Sequence, residues 1–318
     1  MEPQIFDVII IGAGPAGISA AIYAVRKNLK VLVLTKDIGG QAALSGDIEN
    51  YPGFSLISGA DLAKQFRIEL VNFENKGLWL KEGVEVVSLE GADPDFITTT
   101  SDNKSYHGKT VIIASGRNPK MLDIPGAKQL LGKGVATCAT CDAPFYKDKD
   151  VAVIGGGNSA LDAAYSLEKV AREVTLINNT ESLAGDEILL KNVTTSPKVK
   201  VLNNCEALEI LGDKAVGGIK IKDQGKEEVI PVSGIFIEIG WTPSTSFDRL
   251  TNKNDSGEIE VDEYGATSVP GIYACGDVNN IWGEQIVIAA GEGSKTALRV
   301  AEHLSKVPHQ ATSNIHEG

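Results

Sequence analysis

Two cysteines separated by two residues have the types and spacing for thiol–disulfide chemistry in this 318-residue sequence. Cys138 and Cys141 form a Cys-x-x-Cys motif, and Asp142 follows directly. At this spacing one thiolate can attack a disulfide while the second cysteine resolves the mixed disulfide. Asp142 could move a proton to or from a thiolate, although an ordinary turn cap explains the same aspartate. The motif predicts catalytic roles for Cys138, Cys141 and Asp142 in a redox reaction.

The other cysteines and the histidines do not extend this motif into a metal site. Cys205 and Cys275 stand alone, and three of the four histidines lie in or near the C-terminal tail. A structural zinc ion takes four ligands, commonly from two close pairs, and only one such pair is present. We therefore expect no metal, and we expect Cys205 and Cys275 to be small buried hydrophobic residues.

A glycine-rich turn near the N-terminus predicts a dinucleotide-binding unit. A buried-strand pattern, the turn Gly12-Ala13-Gly14-Pro15-Ala16-Gly17, a helical pattern and a second strand pattern follow one another there. Gly12 allows a tight turn, Gly14 lets a pyrophosphate approach the backbone, and Gly17 lets the helix pack closely on the strand. Free N–H groups at the start of the helix would hold the phosphates.

The same pattern recurs 143 residues later, in the turn Gly155-Gly156-Gly157-Asn158-Ser159-Ala160. Alanine at the last position is an accepted variant, and two correctly framed copies predict two nucleotide-binding domains. An acidic residue commonly holds the ribose at the end of the following strand, and here Asn178 stands there. The candidate contacts to a nicotinamide dinucleotide are Gly155, Gly157, Asn158, Ser159 and Asn178.

Charge and hydropathy exclude several classes of partner. Thirty basic and 42 acidic residues give a net charge of −12, which on average repels nucleic acid and anionic membranes. Residues 8–25 carry no charge, but glycines and a proline interrupt the first half, and acidic rather than basic residues precede it. We expect a cytoplasmic protein that binds neither nucleic acid nor membrane.

These motifs resemble those of bacterial-type, low-molecular-weight thioredoxin reductases and of the flavoprotein subunit of alkyl hydroperoxide reductase. The resemblance covers residues 5–305 in the family's order and spacing. The peroxide-reductase subunit has an additional N-terminal thioredoxin-like region, which we do not expect here. The matching segments are Gly12–Gly17, Gly39–Gln41, Ile48–Gly53, Ala114–Gly116, Cys138–Asp142, Gly155–Ala160, Gly276–Val278 and Gln285–Ile286.

The resemblance implies an α/β fold with two three-layer, Rossmann-like domains of the flavoprotein disulfide reductase type, the second inserted into the first. Residues 1–117 and 246–318 would form a discontinuous FAD-binding domain. Residues 118–245 would form a pyridine-nucleotide-type domain that carries the cysteine pair. Segments 116–126 and 241–252 would supply the connecting strands of a hinge about which the nucleotide domain rotates, and the resemblance also implies a homodimer.

The resemblance further implies roles for individual residues. Cys141 would face the flavin, Cys138 would attack the partner's disulfide, and Asp142 would be the acid. Gln41, Asn50 and Gln285 would line the isoalloxazine, and Asp277 would hold the ribitol or phosphate side. The full set of FAD contacts implied is Gly12, Gly14, Pro15, Ala16, Gly17, Gly40, Gln41, Asn50, Ala114, Gly116, Gly276, Asp277, Gln285 and Ile286.

The sequence departs from the family in the segment that selects the nucleotide. NADPH-dependent members have a His-Arg-Arg-x-x-x-Arg pattern where this chain has 178–184, and no lysine or arginine occurs from 178 to 190. Glu181, Asp186 and Glu187 lie in this stretch instead. Each lost ionic hydrogen bond costs about 1.5–3 kcal/mol, so we expect poor binding of NADPH. NADH is the expected donor, and a ferredoxin-type carrier is the alternative.

A second departure lies beside the predicted flavin site. Glu284 stands where family members often have arginine or lysine. A negative charge there would disfavour an anionic reduced flavin, so we expect an unusual flavin potential.

The leading functional hypothesis is an FAD-dependent disulfide reductase that serves a thioredoxin- or glutaredoxin-like protein. A second hypothesis is an FAD-dependent dithiol oxidase that uses oxygen. A third, which is not enzymatic, is a flavin-loaded redox sensor. The adjacent Cys138, Cys141 and Asp142 favour the first.

Overall fold

The chain folds into two compact units, which a computed structural model describes for residues 4–45, 47–74 and 76–306. Among these residues, unit 1 contains 4–43, 47–117 and 243–306, whereas unit 2 contains 44–45 and 118–242. Unit 2 is thus inserted between segments of unit 1.

The secondary structure alternates strands and helices. The strands are β1 (Ile5–Ala13), β2 (Val31–Ile38), β3 (Asp47–Ile48), β4 (Ile57–Ser58), β5 (Leu78–Glu82), β6 (Val86–Ala92), β7 (Asp95–Thr100), β8 (Ser105–Ile113), β9 (Arg117–Pro119), β10 (Val135–Ala136), β11 (Asp150–Ile154), β12 (Glu173–Ile177), β13 (Val199–Leu202), β14 (Cys205–Gly212), β15 (Val216–Asp223), β16 (Lys226–Ile230), β17 (Gly234–Ile237), β18 (Trp241–Pro243) and β19 (Ile272–Ala274). The α-helices are α1 (Pro15–Arg26), α2 (Gly59–Phe73), α3 (Ala139–Asp142), α4 (Asn158–Glu168), α5 (Glu187–Thr195) and α6 (Ile286–Lys306), and 3₁₀ helices span Gly40–Leu44 and Ala143–Tyr146.

A mixed, mainly parallel sheet forms the centre of unit 1. Its strands lie in the order β5-β2-β1-β8-β7-β6, and β19 pairs in parallel with β8. Residues 8–11 of β1 are at most 4% exposed, as the apolar, β-branched run predicts for a strand covered on both faces. Helices α1 and α6 pack against one face. Phe247, Ile259 and Val278 from the C-terminal segment pack against the other.

Unit 2 has a five-stranded parallel sheet in the order β10-β17-β11-β12-β13. Apolar residues of α4 and α5, such as Leu161 and Val193, pack against one face. Strands β14 and β15, which form an antiparallel sheet with β16, supply Ile210, Ile219 and Ile221 to the other. Both units are therefore three-layered, which confirms the predicted α/β fold class.

The chain passes between the units through β9 and β18, which pair as a two-stranded sheet. It leaves unit 1 after Arg117 and returns at Pro243, whereas the sequence predicts the return at 245/246. The uncharged segment 8–25 is shared by β1 and α1. No helix in the described ranges has both the length and the apolar character needed to cross a bilayer.

Candidate functional site

The first glycine-rich turn connects β1 to α1 and leaves part of its backbone open. Gly12 has a φ of +103°, and a Cβ there would lie 2.3 Å from the carbonyl oxygen of Ala114, so glycine is required. A Cβ on Gly14 would have no atom within 4 Å. Helix α1 begins at Pro15 with Gly14 as N-cap, no side-chain cap and no acid in its first turn. This open cradle of free N–H groups fits the pyrophosphate of a dinucleotide.

Other predicted flavin contacts lie in the same unit. A Cβ on Gly40 would be 3.3 Å from the Cα atom of Gly14, which places the 3₁₀ helix beside the turn. Gln41 Nε2 donates a hydrogen bond to the Arg117 carbonyl at 3.3 Å. Asn50 Nδ2 donates to Gln285 Oε1 at 3.0 Å. The fold thus brings Asn50 and Gln285 together across 235 positions of sequence.

The segment after β19 completes this region. The Gly276 N–H donates to Glu292 Oε2 at 2.9 Å, and a Cβ on Gly276 would lie 2.8 Å from that of Ala16 at the start of α1. Burial raises the pKa of the Asp277 carboxyl, and the neighbouring Glu284 raises it further. A carboxyl held in this way can exchange hydrogen bonds with the hydroxyls of a bound ligand.

The cysteine motif lies in unit 2 at the start of α3. Cys138 is disulfide-bonded, and its Sγ atom lies 3.3 Å from the Leu44 carbonyl oxygen. The backbone of Cys141 belongs to α3, while its side chain lies outside the described part of the chain. Burial raises the pKa of Asp142, so this carboxyl keeps its proton to a higher pH than an exposed aspartate does.

The second glycine-rich turn connects β11 to α4. Gly155 has a φ of +143°, and a Cβ there would lie 2.1 Å from the Glu238 carbonyl oxygen. Helix α4 begins at Asn158 with Gly157 as N-cap, again without a side-chain cap or a first-turn acid. Asn158 and Ser159 occupy the first turn, so this helix start also offers free N–H groups.

Comparison with known proteins identifies the family. The sequence profile of pyridine nucleotide-disulphide oxidoreductases matches residues 6–296. The chain belongs to this family.

Three proteins with similar sequences or structures are more specific than the family profile. The crystal structure of T. acidophilum thioredoxin reductase is 38% identical, with a TM-score of 0.84 over 95% of this chain and 99% of that one. The F subunit of alkyl hydroperoxide reductase from Staphylococcus epidermidis is 35% identical over 302 residues, which cover 94% of this chain. NADH dehydrogenase of Bacillus subtilis is 36% identical over 313 residues, 95% of this chain. The chain spans 59% of the length of the last two relatives.

In this disulphide oxidoreductase, Arg117 connects several residues of the predicted flavin region. None of the sequence motifs includes Arg117. Its Nε donates to the Asp277 carbonyl at 2.6 Å. Its two terminal nitrogens pair with Glu258 at 2.5 Å and Glu284 at 2.7 Å. Glu284 therefore does not stand alone as the negative charge expected from the sequence, because it forms an ion pair with Arg117, which it shares with Glu258. Position next to the motif 114–116 was the only sequence signal for Arg117.

The side chain of Asn178 is not available for a hydrogen bond to a ribose. Its side chain is buried, with the residue 1% exposed. Nδ2 donates to the Thr180 carbonyl at 3.1 Å and to Asn203 Oδ1 at 2.9 Å. Oδ1 accepts from the backbone N–H and the hydroxyl of Thr180, and a Cβ on Gly156 would lie 2.3 Å from it. Because both amide hydrogens are used internally, this geometry does not support the predicted ribose contact.

The loop after β12 is tied to the second glycine turn by hydrogen bonds. The Ala184 N–H donates to the Gly156 carbonyl at 2.8 Å, and the Asp186 N–H donates to Asn158 Oδ1 at 2.8 Å. Asn158, a predicted nucleotide contact, thus uses its side chain to hold the loop. The loop's acidic residues Glu181, Asp186 and Glu187 are exposed.

The two remaining cysteines have no part in this chemistry. Cys205 and Cys275 are free thiols, each 1% exposed. Burial raises the pKa of Cys205 to about 11 and also raises that of Cys275. A buried thiol with a raised pKa is a poor nucleophile, which contrasts with the disulfide-bonded Cys138.

Proposed function

We propose that this chain is an FAD-dependent, thioredoxin reductase-like enzyme that reduces a disulfide of a thioredoxin- or glutaredoxin-like protein. One observation carries the proposal: the disulfide-bonded Cys138 begins a Cys-x-x-Cys motif in a chain with two dinucleotide-type turns. The similarity to a thioredoxin reductase over the full length of that enzyme supports it.

Unit 1 is the proposed FAD site. The first turn of α1 would hold the pyrophosphate, and Asp277, Gln41, Asn50 and Gln285 would hold the rest of the cofactor. When bound, the flavin supplies two electrons to the disulfide of unit 2. Arg117 positions this region through its bonds to the Asp277 carbonyl and to two glutamates.

The cysteine pair would transfer the electrons to the partner. The Cys138 thiolate attacks one sulfur of the partner's disulfide, and the partner's second sulfur leaves as a thiolate. Cys141 then attacks Cys138 Sγ, which restores the intramolecular disulfide and releases the reduced partner. Asp142 holds a proton that the leaving thiolate can take, in line with its raised pKa.

We propose NADH, rather than NADPH, as the pyridine nucleotide. The loop that would meet a 2′-phosphate presents three acidic side chains and no lysine or arginine, and charge-assisted bonds to such a phosphate come from cations. The relative named NADH dehydrogenase supports the same choice.

A donor other than a nicotinamide is the second candidate, and the buried Asn178 favours it. A ribose needs a hydrogen-bonding group near the end of β12, and the Asn178 amide hydrogens are already used. A ferredoxin-type carrier would not need this site.

Anaerobic mixing of the purified flavoprotein with NADH, and separately with NADPH, tests the donor. Bleaching of the flavin by NADH alone supports the proposal. Bleaching by NADPH would contradict the charge argument. If only dithionite bleaches the flavin, the ferredoxin-type donor becomes the working hypothesis.

Cys138→Ser tests the disulfide chemistry. We expect at least about a thousandfold loss of partner reduction with FAD retained, because the attacking thiolate is missing. Cys205→Ala is the matched control and should keep full activity. Partner reduction by the Cys138→Ser variant would refute the mechanism, and peroxide formation without any partner would favour the dithiol oxidase. Negligible turnover with every donor would favour the redox sensor.

We also propose a cytoplasmic homodimer, on the basis of the family resemblance. Sedimentation velocity of the FAD-loaded protein tests the dimer, and a single species of about monomer mass, 33.6 kDa, would contradict it.

A further inference from the structure

Glu238 is a titratable residue close to the cysteine motif that no motif of the sequence indicates. It follows β17 directly, and its backbone N–H donates to the Ile154 carbonyl at 2.8 Å. Its own carbonyl oxygen is the atom that a Cβ on Gly155 would strike. The backbone of Glu238 is therefore fixed beside the second glycine turn, on the central strands of unit 2.

The side chain of Glu238 reaches the start of α3. The backbone N–H of Ala139 donates a hydrogen bond to its carboxylate, and Ala139 is the residue after Cys138. Ala139 is 5% exposed, so little water competes for this N–H. A carboxyl group thus lies against the turn that begins the Cys-x-x-Cys motif.

The surroundings of this carboxyl are acidic: Glu238 itself is partly buried, and the neighbouring Asp162 is exposed. Burial, with a smaller contribution from Asp162 of α4, raises the pKa of Glu238 to about 7. Partial desolvation also raises the pKa of Asp162, while Lys169 at the end of α4 lowers it. Asp142, at the end of α3, is a third carboxyl of unit 2 with a raised pKa. Among the described residues, no lysine or arginine contributes to the pKa shift of Glu238.

We propose that Glu238 is a positioning residue that binds a proton when the Cys138–Cys141 pair is reduced and releases it when the disulfide forms again. The inference rests on the proposed function, since it assigns a redox role to that pair. Its structural basis is the contact of the carboxyl with Ala139 inside the acidic surroundings described above.

Two electrons and one proton enter the disulfide, the S–S bond breaks, and one thiol and one thiolate result. The new negative charge near α3 makes a second charge on Glu238 unfavourable. Glu238 then takes up one further proton from water, and it returns this proton when the thiolate attacks the partner and the pair is reoxidised.

The test is the pH dependence of the pair's equilibrium with a dithiol. The FAD-loaded full chain is equilibrated with dithiothreitol buffers from pH 6 to pH 9, and alkylation followed by mass spectrometry measures the reduced fraction of the peptide with both cysteines. Wild type is compared with Glu238→Gln, which keeps size and hydrogen bonding, and with Glu206→Gln, an exposed glutamate of the same unit.

At pH 6, where Glu238 is neutral, wild type and Glu238→Gln should coincide. At pH 8.5 we expect the disulfide of Glu238→Gln to be reduced about tenfold more easily, which for two electrons corresponds to about 30 mV. Glu206→Gln should follow wild type throughout. Asp162→Asn, which leaves Glu238 in place, should shift the wild-type transition to lower pH, because removing a negative neighbour lowers the pKa of Glu238.

Coincidence of Glu238→Gln with wild type at every pH would overturn the inference and leave the proposed function intact. A different result would overturn the proposed function: Cys138 and Cys141 of the wild type are not reduced together, as a two-electron pair, in the dithiothreitol buffers. Circular dichroism and FAD content verify that each variant is folded, and a merely structural role for Glu238 would change the equilibrium equally at pH 6 and pH 8.5.

Discussion

The two glycine-rich turns share a sequence pattern but lie in different surroundings. In unit 1 the backbone at Gly14 is open, and polar side chains from distant segments, Asn50 and Gln285, meet in the same unit. In unit 2 the loop after β12 is bound to the turn through Ala184 and Asp186, and Asn178 is satisfied internally. The pattern sets the tight turn and the free helix start in both units. We expect the residues beyond the second strand to decide which ligand each turn can hold.

The largest expected loss of cofactor binding comes from closing the first glycine-rich turn with one methyl group. Gly14 has φ −75° and ψ −176°, so alanine is tolerated by the backbone, and its Cβ would meet no protein atom. Gly14→Ala should therefore fold normally but bind FAD about a hundredfold more weakly, roughly 3 kcal/mol. The FAD-to-protein ratio and a thermal melt measure the two effects.

Gly157→Ala is the matched change in unit 2. Its Cβ would lie 3.9 Å from the Ala184 carbonyl oxygen, which is an ordinary contact. We expect full FAD content and about tenfold slower flavin bleaching by NADH. Unchanged bleaching would mean that NADH does not use this turn, and loss of FAD would mean that the two turns have been assigned to the wrong cofactors.

A change of nucleotide preference should follow from restoring cations to the loop after β12. Asn179 and Ala184 are exposed and align with arginines of NADPH-dependent relatives in the pattern given above. The double variant Asn179→Arg/Ala184→Arg should raise kcat/KM for NADPH about a hundredfold relative to NADH, because each charge-assisted bond contributes about 1.5–3 kcal/mol. The control is Asn179→Gln/Ala184→Gln. Equal nucleotide preference in both double variants would show that missing cations in this loop do not cause the expected discrimination against NADPH.

The smallest expected effect is on stability, and it differs between Glu258 and Glu284, the two acidic partners of Arg117. Arg117 is the cation of the predicted flavin region in unit 1. Glu258 is 19% exposed at its side chain and also accepts from Asn254, whereas Glu284 is 54% exposed. Glu258→Gln should lower the free energy of unfolding by about 2 kcal/mol, and Glu284→Gln by less than about 1 kcal/mol. Urea denaturation measures both, and equal losses would show that the guanidinium is not held mainly by Glu258.

Sequence reasoning identified those parts of the molecule whose signals are local. The strands, glycine turn and helix around each of the two dinucleotide-type turns lie within one short stretch, so their apolar pattern and glycines predict them. The three-layered fold followed from the family resemblance that these motifs carry. Resemblance, rather than periodicity, linked Asn50 with Gln285, which meet across 235 positions.

The sequence could not show which polar side chains satisfy one another. Asn178 looks available until the fold places Asn203 beside it. Glu284 looks like an unpaired charge until Arg117, far away in sequence, reaches it. Glu238 looks like an ordinary residue after a strand, and only its packing against the glycine turn and α3 gives it an unusual pKa. Such pairings depend on tertiary contacts, which carry no local pattern.

The divided sequence of unit 1 also has a consequence for synthesis on the ribosome. Residues 118–242 of unit 2 are continuous, so they can fold as soon as they emerge. Unit 1 must wait, because β19 pairs with β8 and α6 covers α1 in a shared core. A Cβ on Gly293 of α6 would lie 2.0 Å from the Ala16 carbonyl oxygen, so the two helices meet at backbone distance. The first half of the nascent chain thus keeps an apolar helix face exposed until the last helix is made, and that interval is when a chaperone would be needed most.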